Sequence, residues 1–374
     1  MPLTFDEKAA LLKINSFSYL RADWLGRLLD IFGSGQEILK QDAKTLSEEG
    51  KVSLGTAQHF LKSATEFDAE AEFENIQKAN AKVVFKGEEG YPETLLAIKE
   101  PPLALYIRGV LDTSPNAAAV AMVGTRKITP YGRRVATKLA EDLTNSAVIL
   151  VSGLARGVDS LVHAAAVRSQ NPTWALIGTG IGRCYPAENK ELARAILDNG
   201  GAIISELPFN SPPLAQHFPR RNRLIAGLSR LVVVVEGEVK SGALITAKMA
   251  LEQGLDVLSV PGPIDSPQSN GTNKLIREGA AMVMDARDII DALPLNSKLG
   301  LNTKKLYSEE NPPEQEFTEQ EAKVLSLIGQ ETKTIDDMAQ ALKIEISELA
   351  GILFNLEVNG VLICADGQYA KKKF

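Results

Sequence analysis

AMVGTR (121–126), ILVSGLARGVD (149–159) and LIGTGIGRCYP (176–186) are three apolar, strand-like runs that each end in a glycine-rich turn. A fourth run, LVVVVEGEVKSGALITA (231–247), ends the same way, and helical stretches such as YGRRVATKLAEDL and NKELARAILDNG lie between them. Strands are expected at 119–123, 147–151, 173–178, 202–205, 231–235, 256–260 and 281–283. Strands alternating with helices imply βαβ units and a parallel sheet covered on both faces, and the valine run at 232–235 suits a strand buried on both sides. Every strand of such a sheet delivers its turn to one edge, where ligands bind. Glycine lets backbone approach a ligand closely, and a helix N-terminus offers free N–H groups to anions. Four such turns at one edge point to a phosphate-binding groove larger than a single nucleotide needs. The predicted core is an α/β, extended Rossmann-like parallel sheet.

Outward from this core, residues 1–80 read as short helices, with Gly33 and Gly35 stopping LLKINSFSYLRADWLGRLLDIFG and ATEFDAEAEFENIQKAN (64–80) forming an acidic helix. Residues 81–111 hold two strand candidates around a Pro-marked connection, so the core is set at 81–293. Residues 294–316 are polar and Pro/Asn-rich and read as a linker. In 317–374, Thr318 and Glu321 spell a capping box, two more helices follow, and VLICADGQYAKK reads as a hairpin around Asp366-Gly367. Three helices and a hairpin outline a winged helix.

The net charge of −6 conceals an asymmetry: residues 119–293 carry 19 basic and 16 acidic side chains, whereas both flanks are acidic. Composition is that of a soluble globular protein, with 44% apolar and 24% charged residues. No apolar run has the length of a membrane span and the N-terminus lacks a signal-peptide core, so no membrane association is expected. Two distant cysteines, Cys184 and Cys364, fit a reducing, cytoplasmic location.

The turns supply candidate phosphate contacts. These are Gly124, Thr125 and Arg126; Ser152, Gly153 and Arg156; Gly178, Thr179 and Gly180; Tyr185, Asn189 and Lys190; and Ser241, Gly242 and Thr246 at a helix start. HFPRRNRLIAGLSR (217–230) is the densest basic segment of the core, with Phe218, Arg220, Arg221, Asn222 and Arg223. Arginine forks grip phosphates and an adjacent aromatic offers a stacking platform, so Arg126 and Arg221 are expected to face one groove. Taken alone, GTR reads better as a turn with a solvated arginine; in company with the other turns it reads as a phosphate contact. Asp159 and His163 stand at i and i+4; a helix-capping aspartate and a packed histidine fit better than a metal pair, since the chain has three histidines in all. There is no GxGxxG or Walker A loop, no nucleophile elbow and no framed carboxylate pair. The expectation is a binder rather than an enzyme, without metal or cofactor.

Together, VGTR (123–126), SGLARGVD with His163, GTGIGRCYPAEN (178–189), SELPF (205–209), HFPRRNRLIAGLS, VVVVE with SGALITA, VPG (260–262) and GTNKLIREGA (271–280) resemble the DNA-processing protein A (DprA, or Smf) family, in family order over about residues 84–293. The resemblance implies an extended Rossmann fold that binds single-stranded DNA. It also implies a recombination mediator that protects incoming strands and loads the RecA recombinase, chiefly in natural transformation. Implied partners are single-stranded DNA, RecA, a second copy of the chain and, as a further candidate, single-strand-binding protein. By motif, the DNA contacts are Gly124, Arg126, Gly153, Lys190, Phe218, Arg220, Arg221 and Arg223. Leu275 and Ile276 fall where the family's dimer interface lies. The N-terminal helices look like the family's sterile-alpha-motif-like, helix-hairpin-helix-related region. NSFSYLRAD (15–23) stands where that region usually has a Gly-x-Gly hairpin. The expected recognition helix, EISELAGILFNLE, is acidic, which opposes duplex binding and favours a protein-contact role.

The rival reading is a nucleotide phosphoribohydrolase of the lysine-decarboxylase-like (LOG) family, which has a similar core. That family places a glutamate in a PGGxGTxxE motif; KSGALITAKMA carries alanine or lysine there.

Overall fold

The computed structural model describes residues 3–17, 22–114, 117–298, 300–303, 306, 317–328, 333–358, 361–365 and 367–371. It divides into two compact units, residues 1–307 and 308–374.

The first unit is built on nine strands. They are β1 (Ala81–Phe85), β2 (Ala104–Gly109), β3 (Ala119–Val123), β4 (Ile149–Ser152), β5 (Thr173–Leu176), β6 (Ala202–Ser205), β7 (Leu231–Val234), β8 (Asp256–Ser259) and β9 (Ala281–Met282). Their order is β1-β2-β6-β5-β4-β3-β7-β8-β9, and all pairs from β6 to β9 are parallel. Only β1–β2 and β2–β6 are antiparallel. Alternate residues of the central strands go to opposite faces. Ala121 and Val123 of β3 join Val232 and Val234 of β7 in one core cluster. Val120 and Met122 join Leu231 and Val233 in another. That two-sided burial is why these strands are almost continuously apolar.

The chain runs outward from β3 through β4 and β5 to β6, returns to β7 beside β3, and then runs the other way. The switch of direction falls between β3 and β7, where open α/β sheets bind ligands beyond the strand ends.

Six short helices, from Phe5–Asn15 to Ala69–Lys78, precede the sheet. Leu12, Leu28 and Phe60 share a core cluster with Phe85, Tyr106, Ile177 and Ile203 of the sheet. Polar contacts lock the same seam: Asn15 Nδ2 donates to the Glu206 carbonyl (2.9 Å), and the Phe209 N–H donates to Glu72 (2.7 Å). The acidic stretch at 64–80 is divided rather than continuous. Asp68 accepts from the Ala71 N–H at 2.9 Å and starts a new helix after Glu66. Gly33, at φ +77°, ends its helix, whereas Gly35 opens the next one under a Ser34 cap. Residues 18–21 of NSFSYLRAD lie outside the described residues. Within the expected linker, Leu295–Lys298 is a short helix and Leu301 and Leu306 pack against the sheet's core; residues 307–316 lie outside the described residues.

The second unit holds helices Glu319–Ile328, Ile335–Leu342 and Ile346–Val358 with a small sheet of β10 (Lys333–Thr334), β11 (Leu362–Ala365) and β12 (Gln368–Lys371). It is a winged helix around Val324, Met338, Leu349 and Leu353. The Thr318–Glu321 box forms in both directions. β11 and β12 pair antiparallel, as the expected hairpin requires; Asp366 of the expected Asp366-Gly367 turn lies outside the described residues.

Candidate nucleic-acid interface

The ends of β3 and β7 open onto a groove of about 600 Å³. Its first wall is the turn after β3. The Thr125 N–H donates to the Glu236 carbonyl (2.8 Å) and the Thr125 carbonyl accepts from the Val158 N–H (3.3 Å). Gly124 is required by this crossing, because a Cβ there would lie 2.4 Å from Val158. The turn is therefore rigid, and it presents Arg126 and Lys127 outward as exposed side chains.

The helix N-terminus behind this turn is already filled. The buried Glu236 carboxylate accepts from the Thr129 N–H (3.0 Å) and the Thr129 hydroxyl, at the start of Pro130–Asn145. A Cβ on Gly132 would fall 2.2 Å from that carboxylate. A nucleotide-binding Rossmann domain seats its pyrophosphate at this position. Here the protein's own Glu236 carboxylate occupies it.

Above the turn lies a ladder of flat groups. The Arg126 guanidinium sits 5.5 Å from the Phe218 ring centroid, and Phe218 meets Tyr185 at 5.6 Å, tilted by 50°. Tyr185 is 45% exposed. Gly178 makes room for this ladder, since a Cβ there would lie 2.9 Å from the Phe218 ring. On the opposite wall, Lys240, Ser241 and Gly242 head the helix Gly242–Glu252. Ser241 Oγ has no hydrogen-bond partner among the described residues. Thr246 lines the same wall, with its hydroxyl donating to the Gly242 carbonyl (3.3 Å).

The three arginines of HFPRRNR separate by helical phase, because His217–Gly227 is itself a helix. Phe218, Arg221, Asn222 and Ile225 line the groove. Arg220 and Arg223 point away and pair with one buried carboxylate, Glu206. Arg221 lines the groove's floor at 5% exposure. It donates to the carbonyls of Gly153 (2.7 Å) and Leu176, so it ties together the ends of β4 and β5. Burial pulls its guanidinium down to about 10, although Asp159 opposes this. Burial likewise raises the Asp159 carboxyl, against the pull of Arg221. Asp159 accepts from the N–H groups of Gly153 (3.2 Å) and Ala155 (3.3 Å), in the turn before its own helix.

The other sequence candidates lie around this floor. Ser152 is buried, its hydroxyl donating to the Met122 carbonyl (2.7 Å). Thr179 and Gly180 are buried, and Thr179 Oγ1 donates to the Arg183 carbonyl (3.0 Å). Asn189 is buried and holds the Leu154 carbonyl (2.9 Å). Arg156 is exposed but clasped by Glu188 through two bonds of 2.8 and 2.6 Å. Lys190 is exposed and lines a neighbouring cavity. His163 is buried with Nδ1 2.9 Å from the Thr173 hydroxyl, and burial pushes it down to about 3, so it is a neutral packed residue. No cluster of three metal-ligating side chains occurs among the described residues. Leu275 packs into the core of its own chain, whereas Ile276 is half-buried; further along the chain, Met282 in β9 and Met284 just after it are exposed.

Sequence reasoning missed Lys127, Lys240 and Ala155 in the groove lining, each beside a candidate residue of the glycine-rich turns. It also missed Glu236, whose role depends on a hydrogen bond across two strands.

Comparison with known proteins agrees with this architecture. Residues 82–294 match the family model of DNA recombination-mediator protein A, and residues 308–368 match the DprA winged helix domain. Protein Smf of Escherichia coli is 34% identical over 366 residues, covering 96% of this chain and 94% of its own length. The crystal structure of DNA processing protein A from Streptococcus pneumoniae superposes with a TM-score of 0.65 at 30% identity, covering 79% of this chain and 99% of that one. A structure of DNA processing protein A from Helicobacter pylori, described for its single-stranded DNA binding mode, gives 0.51 at 29% identity over 56% of this chain and 94% of its own. With its Rossmann-like sheet, its winged helix and a family match over most of its length, the chain belongs to the DNA recombination-mediator protein A (DprA/Smf) family.

Proposed function

We propose that this chain binds single-stranded DNA in the β3/β7 groove and acts as a recombination mediator rather than an enzyme. The observation that carries the reading is the ladder of Arg126, Phe218 and Tyr185 beside exposed Lys127 and Lys240. Bases stack on such rings regardless of sequence, and cations track the backbone. The H. pylori relative, described by its single-stranded DNA binding mode, supports the same ligand. Glu236, sealing the inner phosphate seat, argues against a nucleotide-hydrolysing site. Loading of RecA during natural transformation, contact with single-strand-binding protein, a cytoplasmic location and homodimerisation through the β9 edge complete the proposal. In the winged helix, the exposed carboxylates Glu345, Glu348 and Glu357 favour a protein partner over duplex DNA.

Fluorescence anisotropy with single- and double-stranded oligonucleotides of one sequence tests this. Tighter binding of the single strand is expected; equal affinity contradicts the groove's role. Release of free base from nucleoside monophosphates would establish the hydrolase instead.

A further inference from the structure

Beyond Tyr185 lies a second cavity of about 570 Å³. Its floor is apolar: Leu154, Ile177 and Ile203, with Ala193 and Leu197 from the helix Lys190–Asp198 along one side. Its lining also carries four cations, Arg108, Arg183, Lys190 and Arg194, against one carboxylate, Asp198. All four cations are exposed. Arg108 and Lys190 make no ion pair among the described residues; Arg194 faces Asp198 at 3.7 Å, and Arg183 Nε donates to the Asn210 carbonyl (2.7 Å). An apolar floor beneath a cationic rim fits a nucleobase with its phosphate, whereas a rim alone would fit any anion. Consecutive residues line the two cavities. Tyr185 lines the groove, and the preceding residue, Cys184, lines the second cavity.

We propose that this cavity is a second nucleotide subsite, in which a strand leaving the groove past Tyr185 seats a base on the Ile177–Ile203 floor and its phosphate among Lys190, Arg194 and Arg108. The proposal rests on the groove binding single-stranded DNA. Lys190 then serves this subsite rather than the groove, and the bound strand is longer than the groove alone accounts for.

Oligothymidylates of ~4 and ~12 nucleotides, within the span that single-strand binders engage, provide the test. Ala193→Phe fills the space over the apolar floor from its side without changing charge, and Arg108→Glu with Arg194→Glu reverses the rim. Both variants are expected to bind the long strand at least tenfold more weakly and the short one within twofold of wild type, with unchanged melting temperatures. Arg126→Ala, in the groove, is expected to weaken both. Wild-type affinity of Ala193→Phe for the long strand would overturn the base pocket, as would equal weakening of both strands by the rim variant. Should Ala193→Phe fail to fold, the rim variant decides alone. A wild-type chain binding both lengths equally refutes only the second subsite; one binding neither refutes the groove reading as well.

Discussion

Arg221 lies under the same groove that Arg126 overlooks, but its guanidinium is spent on the Gly153 and Leu176 carbonyls and on Asp159. Removing it leaves Asp159 buried beside two strand ends that have lost their tie. Arg221→Ala is therefore expected to cost about 3–6 kcal/mol, two buried bonds from a charged donor at about 1.5–3 kcal/mol each, read as an earlier urea midpoint. Unchanged stability with lost DNA binding would make Arg221 a direct contact instead. His163 gives a pH signature. Burial holds it near 3, so between that value and its ordinary 6.5 the unfolded chain binds a proton that the folded chain refuses. Stability from this group is intact above about 6.5 and falls as pH drops, by up to about 1.4 kcal/mol per unit. Urea unfolding at pH 7.5 and 5 should show the wild type losing about 2 kcal/mol more than His163→Gln, by the same slope. Equal losses would mean His163 titrates freely.

The parallel core was legible at the level of elements. Runs such as AVAMV and LVVVV have few uses other than strands buried on both faces, and glycine turns mark their ends. The strand limits expected for β3 and β6 coincide with those observed. The phase of HFPRRNR was not legible, because three arginines in seven residues do not mark where a helix begins. It begins at His217, and a 3.6-residue period then sends Phe218, Asn222 and Ile225 to one side and Arg220 and Arg223 to the other. Nor could local sequence show that Glu206, in SELPF on another strand's turn, pairs with both of those arginines. Glu236 illustrates the same limit: it follows β7 yet caps the helix after β3. Glu236→Gln keeps the shape and loses the charge. It is expected to lower stability by about 1–3 kcal/mol, as for a weakened buried charge-assisted bond, with DNA affinity little changed. A large loss of affinity at full stability would place Glu236 in the binding site.

At the scale of the molecule, β9 is the last strand at one end of the sheet, with Met282 in it and Met284 just after it exposed. An exposed apolar edge invites pairing. Under the proposed homodimerisation the wild type is expected to scatter light as a dimer and the double variant Met282→Asp, Met284→Asp as a folded monomer; an unchanged mass would move the interface elsewhere. In the proposed reading, strand binding would draw on the edge where the sheet changes direction and on cations from several turns, among them Arg126, Lys127 and Lys240 from the groove and Lys190 beside it. The most direct test is the affinity for oligothymidylate at ~50 and ~200 mM salt, for the wild type and Arg126→Ala, with melting temperatures from the same preparations. At about 0.7 counterions released per contact, four phosphate contacts lower the wild-type affinity by about fifty-fold across that range. Arg126→Ala is expected to bind about tenfold more weakly, with a slope shallower by about 0.7 and an unchanged melting temperature. A salt-independent wild-type affinity, or an Arg126→Ala variant with the wild-type slope, would contradict phosphate binding in this groove.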